Sequence, residues 1–203
     1  MSQASQMLLL VAGMLLSLIG VAYADGLEQR FNGSFPPYGW AVIDDAQSGV
    51  VWKRNTAWGD ANWTGGIGSC AEVSSSHSPG QHYDTLLQSP VFTTPPDAVL
   101  FFRANYQNFI GEDRFEVRIR SGEDVYGVLS WNEDHGAFES TPGDGAIVDL
   151  GAWAGEGIQI EFHYFDDAAS VHDDYYIQVD DVIVGDETAV TQVRWGAIKA
   201  RYR

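Results

Sequence analysis

The feature that constrains this chain most is an alternation of apolar and polar residues with a period of two. In Arg114-Phe115-Glu116-Val117-Arg118-Ile119-Arg120 the apolar side chains fall on one side and the charges on the other. Ile158-Gln159-Ile160-Glu161-Phe162-His163-Tyr164 repeats the pattern. Successive side chains of a strand point to opposite faces, so each run reads as a strand with one buried and one wet face. Further candidate strands lie at 27–32, 40–44, 50–54, 69–74, 85–92, 98–106, 125–131, 146–150 and 175–184, and the two quoted runs extend over 114–120 and 157–165. Ile177, Val179, Val182 and Val184 change phase at Asp180-Asp181, which predicts a bulge or a passage through a polar site. Clusters of Gly, Pro, Asn, Asp and Ser separate the runs, as at 33–39, 59–68, 74–80, 141–145 and 166–174. No part of this body holds a helical period. Many short strands with frequent turn signals build a sandwich or a barrel.

The two ends differ from the body. Residues 7–21 are almost unbroken apolar, too short for a comfortable span of about 20 residues. They run into Ala22-Tyr23-Ala24, a small-x-small cleavage pattern, so residues 1–24 read as a secretory signal peptide. The departure is that no Lys or Arg precedes Met7; the alternative is a retained membrane anchor. The expected domain covers 25–185. The tail, 186–203, is basic, with Arg194, Lys199, Arg201 and Arg203.

Charge narrows the partners. All 28 acidic residues lie between Asp25 and Glu187, against seven basic residues in the same body, a formal charge of −21. Such a surface repels nucleic acid and anionic lipid and suits solubility and divalent cations. Cys70 is the single cysteine, so neither an internal disulfide nor a thiolate metal cluster is available; its apolar-alternating run predicts a buried thiol. The five histidines show no His-Glu-x-x-His spacing and there is no Gly-x-Ser-x-Gly elbow. His77 and His82 read as exposed loop residues, and the 166–174 segment reads as an acidic loop. Glu116 and Glu161 sit on polar strand faces, where nothing distinguishes them from solvated residues. The residues therefore predict no enzyme.

Seven Trp and nine Tyr are many for 203 residues. Trp40 and Trp52 fall in strands and read as core. Trp58 and Trp63 lie in a Gly-rich stretch with Asn55, Asp60 and Asn62, a setting in which flat rings stack on sugars or anchor protein partners. A lid folded over the sandwich is the structural alternative. Asn32-Gly33-Ser34 and Asn62-Trp63-Thr64 match glycosylation sequons.

The order of motifs carries a resemblance. Phe31-Asn32-Gly33-Ser34-Phe35-Pro36-Pro37-Tyr38-Gly39-Trp40 opens the body, and Asp84-Thr85-Leu86-Leu87-Gln88-Ser89-Pro90-Val91 follows. Leu100–Tyr106, Asp113–Val117 and Asp149-Leu150-Gly151-Ala152-Trp153-Ala154-Gly155 come next, and Val179-Asp180-Asp181-Val182 closes the series. In this order they resemble the cleaved-adhesin, or choice-of-anchor J, domains, MAM-like in architecture, over about 28–185. The resemblance implies an antiparallel jelly-roll β-sandwich. It also implies a secreted, non-catalytic adhesion or recognition module for a protein or glycan, often with structural calcium. The calcium ligands it implies are Asn32, Asp84, Asp180 and Asp181. Asn32 departs from the family's frequent Glu and brings no charge, and Asp180 and Asp181 cannot both face one way in a regular strand. Trp58 and Trp63 are the candidate ligand-binding residues. The alternatives are a carbohydrate-binding module accessory to polysaccharide breakdown and a surface-layer or filament component that self-associates through the basic tail.

Overall fold

The computed structural model describes residues 26–77, 80–108, 113–166 and 175–186. The signal-peptide reading, the basic tail and most of the acidic 166–174 loop lie outside the described residues.

The alternating segments form two antiparallel six-stranded sheets packed face to face, a jelly-roll sandwich. The first sheet holds β2 (Ala41–Asp44), β5 (Asp84–Gln88), β11 (Gly157–Asp166), β8 (Asp113–Ser121) and β9 (Asp124–Trp131), with β6 (Phe92–Thr93) beside β11. The second holds β10 (Asp144–Asp149), β7 (Ala98–Gln107), β12 (Tyr176–Asp186), β4 (Ala71–Ser74) and β3 (Lys53–Arg54), with β1 (Leu27–Gln29) on β12. Two short 3₁₀ turns, Asn55–Ala57 and Gly151–Trp153, complete the elements.

The expected 85–92 strand is two strands, because the chain turns at Ser89-Pro90. Pro90 has no N–H to give to a ladder. Ser89 covers the break: its hydroxyl accepts the Ile160 N–H at 2.9 Å, and its own N–H donates to the Ile160 carbonyl at 2.9 Å. The expected 50–54 strand shrinks to Lys53–Arg54, although Val50 and Trp52 are buried before it. The bulge expected at Asp180-Asp181 is present: the pairing of β12 with β7 shifts between Asp180 and Ile183, and Asp181 takes a left-handed backbone, φ +48.

The core is aromatic. Phe162 lies at its centre, parallel to Trp40 at 6.5 Å and edge-on to Phe102 at 5.3 Å. Trp40 and Trp52 are both buried in it, as their strand positions predict.

The outer face of the first sheet carries a buried charge. Glu161, next to Phe162 but on the opposite side of β11, is fully buried. It accepts from Arg120 at 2.6 Å, Gln88 at 2.9 Å and Arg118 at 3.0 Å. Burial alone raises its pKa, but the bonds from Arg120 and Gln88 and the charges of both arginines outweigh it and hold the carboxyl below its ordinary 4.5. A carboxylate whose folded value is lowered contributes fully above about pH 4.5, and the contribution is lost as pH falls through the lowered value. Glu161→Ala should therefore cost about 3 kcal/mol near neutrality, because it strands two arginines. It should also flatten the wild-type loss of stability in acid. Denaturant melts from pH 7 to pH 3 check both; parallel acid slopes in the two proteins would refute the assignment.

Candidate functional site

The second sheet treats its outer face differently. In β12, Ile177 and Val179 face the core, so Gln178 and Tyr176 face outward; Glu72 of β4 and Asn105 of β7 pair with Gln178 on either side. Glu72, Gln178 and Asn105 thus form one polar row, and all three are buried. Two loops cover them.

The first loop, 55–69, is bonded to the row at several points. Gln178 accepts the Trp63 N–H at 2.7 Å and donates to the Ala61 carbonyl at 2.9 Å and to Glu72 Oε2 at 3.0 Å. Asn55 turns the loop onto β4, accepting the Cys70 N–H at 3.1 Å and donating to the Asp60 carbonyl at 2.8 Å. Asn62 caps the next turn, accepting from Thr64 Oγ1 at 2.6 Å and donating to Asp180 at 2.8 Å. The second sequon, Asn62-Trp63-Thr64, is therefore spent on internal bonds. The second loop, 132–143, is held by Asn105, which donates to the Ala137 and Ser140 carbonyls at 2.9 Å each.

Both candidate tryptophans lie on this covered face, half-buried. Trp63 packs on Tyr176 at 4.8 Å; Tyr176 in turn neighbours Phe138 at 6.4 Å, and Phe138 packs on Tyr175 at 4.8 Å. The result is an aromatic strip bridging the two loops, with Phe138 49% exposed. Trp58 sits apart, flat against His77 at 4.5 Å with the Lys53 ammonium 4.0 Å from its ring centre. An open groove of about 320 Å³, lined by Lys53, Arg54, Thr56, Ser34 and Phe35, adjoins it.

Beneath Trp58 is a cluster that the sequence reading did not assemble. His77 Nε2 meets Asp60 Oδ2 at 2.9 Å, and Glu72 completes a group whose donor atoms all lie within 4.8 Å of one another. Glu72 Oε1 is buried and, among the described residues, no donor group bonds to it. Burial, then the negative Asp60, pushes the Glu72 pKa up to about 9. Cys70, on the same face, is buried as expected, and burial raises its thiol well above the ordinary range, which leaves it unreactive.

The four expected calcium ligands are not brought together. Asp84 belongs to the first sheet, where it meets His163 at 2.6 Å on the outer face. Asn32, Asp180 and Asp181 do converge, at the second sheet, but around N–H donors. Asn32 Oδ1 accepts the Ser69 N–H at 2.8 Å. Asp180 accepts from Asn62 and from the Asp181 N–H, both at 2.8 Å, and from the Phe31 backbone; burial raises its pKa to about 6. Asp181 accepts from Arg103 at 2.9 Å and Arg30 at 3.5 Å. Calcium wants six to eight oxygens and no neighbouring cation, so these residues do not fit it.

The architecture defines an antiparallel jelly-roll module with one loop-covered face. No protein-family model matches the chain, and no curated protein matches it. Among solved structures it is similar to the cleaved adhesin domains of Lys-gingipain. The K1 domain from Porphyromonas gingivalis W83 aligns with 80% of this chain and 98% of its own, at 22% identity and a TM-score of 0.59. The K3 domain, from the same strain, aligns with 79% of this chain and 98% of its own, at 21% identity and 0.51. The K2 domain aligns with 79% and 97%, at 19% identity and 0.54. The chain shares their fold, in agreement with the resemblance carried by its motifs.

Two outcomes follow. Added to protein already stripped with chelator, millimolar calcium should leave the melting temperature unchanged; a rise of several degrees that Asp180→Ala abolishes would reinstate the calcium set. In chelator, stability should fall as pH rises. A carboxyl whose folded pKa is raised favours the fold fully below its ordinary 4.5 and progressively less up to about 9. Glu72→Gln should flatten that slope, leaving only the smaller part from Asp180, whose value is raised to about 6; an unchanged slope would show that Glu72 is ionised in the fold.

Proposed function

We propose that this chain is a non-catalytic recognition module that works outside the cell and binds an extracellular protein or a glycan. The observation that carries the reading is the aromatic strip Trp63–Tyr176–Phe138–Tyr175 across two loops. Aromatic rings offer large contact area at little entropy cost, and they serve both sugar stacking and protein anchoring. The polar row beneath fixes the loops, so the strip is held in place before a partner arrives, which lowers the cost of binding. The fold shared with cleaved adhesin domains supports the reading, as do the signal-like first 24 residues and the acidic body. Among the described residues no helix is long and apolar enough to cross a membrane.

Trp58 is assigned no contact with this partner, since its ring is engaged with His77. A glycan array and a cell-surface binding assay, run on the purified chain, test the reading. Phe138→Ala and Trp63→Ala should each weaken the best hit at least tenfold while Trp58→Ala should not. Wild-type binding in both strip variants would overturn the proposal.

A further inference from the structure

We infer that Asp60, Glu72 and His77 form a site for a divalent transition-metal ion of the zinc type. The site lies at the seam where the 55–69 loop meets β4, and the inference does not depend on the recognition function proposed above.

Three observations converge there. The donor atoms of the three side chains lie within 4.8 Å of one another. Glu72 is 1% exposed, and among the described residues its Oε1 receives no hydrogen bond from a donor group; it faces Asp60. The facing group is another carboxylate, Asp60, whose nearest partner is an imidazole rather than an N–H of the backbone. Two carboxyl groups facing each other at this seam are held together either by a proton on one of them or by a cation between them. A bound cation also gives Glu72 Oε1 a partner.

The donor set selects the class of ion. One imidazole nitrogen with two carboxylate oxygens is a borderline set that suits zinc and its neighbours; calcium takes six to eight oxygens. A tetrahedral zinc with bonds of about 2.0 Å places its ligands about 3.3 Å apart. The 2.9 Å His77–Asp60 pair would open slightly and the wider pair would close. The supports for such ligands are present. Gln178 holds Glu72 Oε2 at 3.0 Å, Asn55 holds the Asp60 backbone at 2.8 Å, and Trp58 lies flat on the His77 ring. Access is open on one side, where the His77 and Asp60 side chains are 31% and 23% exposed. The fourth position would fall to water.

A metal here would tie the loop to the strand end that follows β4. It would act as a clip on the loop, with no reaction implied.

The test is calorimetric titration of the full chain, stripped with chelator, with zinc chloride, alongside cobalt(II) absorption. One zinc should bind per chain with a raised melting temperature, and cobalt should give visible ligand-field bands. His77→Ala should lower zinc affinity at least tenfold and erase the cobalt bands; Glu72→Gln should do the same. His135→Ala, at a histidine outside the cluster that pairs with Asp144 instead, should bind as the wild type does. His77 is partly exposed, so its variant keeps the test valid even if the Glu72 variant fails to fold. Absence of saturable zinc binding, or wild-type affinity in His77→Ala, would overturn the site. Equal competition by calcium would overturn the class of metal.

Discussion

The covered face of this protein depends on the buried amide of Gln178. It sits near the start of β12, between β4 and β7, and bonds to the Trp63 N–H, the Ala61 carbonyl and Glu72 at once. Without it, a partly buried loop amide and a loop carbonyl would lose their partner on the sheet. The neighbouring Asn105 does the same for the second loop through the Ala137 and Ser140 carbonyls. Loop geometry is thus read directly off the sheet. Both the aromatic strip and the carboxylate–imidazole cluster inherit their positions from one row of side chains.

The two outer faces solve the same problem in opposite ways. Glu161 and Glu72 each lie mid-strand on an outer face, and each is buried. Glu161 is covered by arginines of its own sheet, which hold its carboxyl below the ordinary 4.5. Glu72 is covered by backbone and by Asp60, which drive it toward the neutral form. The first face is closed by side chains that can only repack. The second is closed by two loops bonded to the sheet, and loops held on a rigid scaffold are where binding residues concentrate.

Much of this was legible in the sequence, within a clear limit. The strands were readable because alternation is a local signal, and the phase change at Asp180-Asp181 marked the bulge. Trp40 and Trp52 separated from Trp58 and Trp63 because the former fall in apolar strand runs and the latter inside a Gly-rich loop stretch. Glu72 was not legible: Cys70-Ala71-Glu72-Val73 reads as an ordinary strand with a wet-face Glu, and nothing local says that a loop will cover that face. His77 read as an exposed loop residue and is one; what the sequence did not show is that its partners Asp60 and Trp58 come to it from an earlier turn. Asp84 could be grouped with Asp180 only by resemblance, because sequence does not state which sheet a strand joins. The structure puts them on the outer faces of different sheets.

The closing Asp-Asp pair gains a role from the bulge. Val179 and Val182 both face the core, so the extra residue sends Asp180 and Asp181 to the outer side together, which a regular strand forbids. They then divide the work. Asp180 gathers Asn62 of the loop and the Phe31 backbone, and the loop approaches so closely that a Cβ on Gly66 would run into the Asp180 carboxylate. Asp181 takes Arg30, just past β1, and Arg103 of β7. Immediately after the bulge, Val182, Ile183 and Val184 pair with β1. One irregularity in the last strand thus locks the first strand, the covering loop and the neighbouring β7. Loss of either carboxylate there disturbs fold and loops together. Phe138, held at the strip's exposed edge by ring contacts, is a place where recognition can be separated from stability.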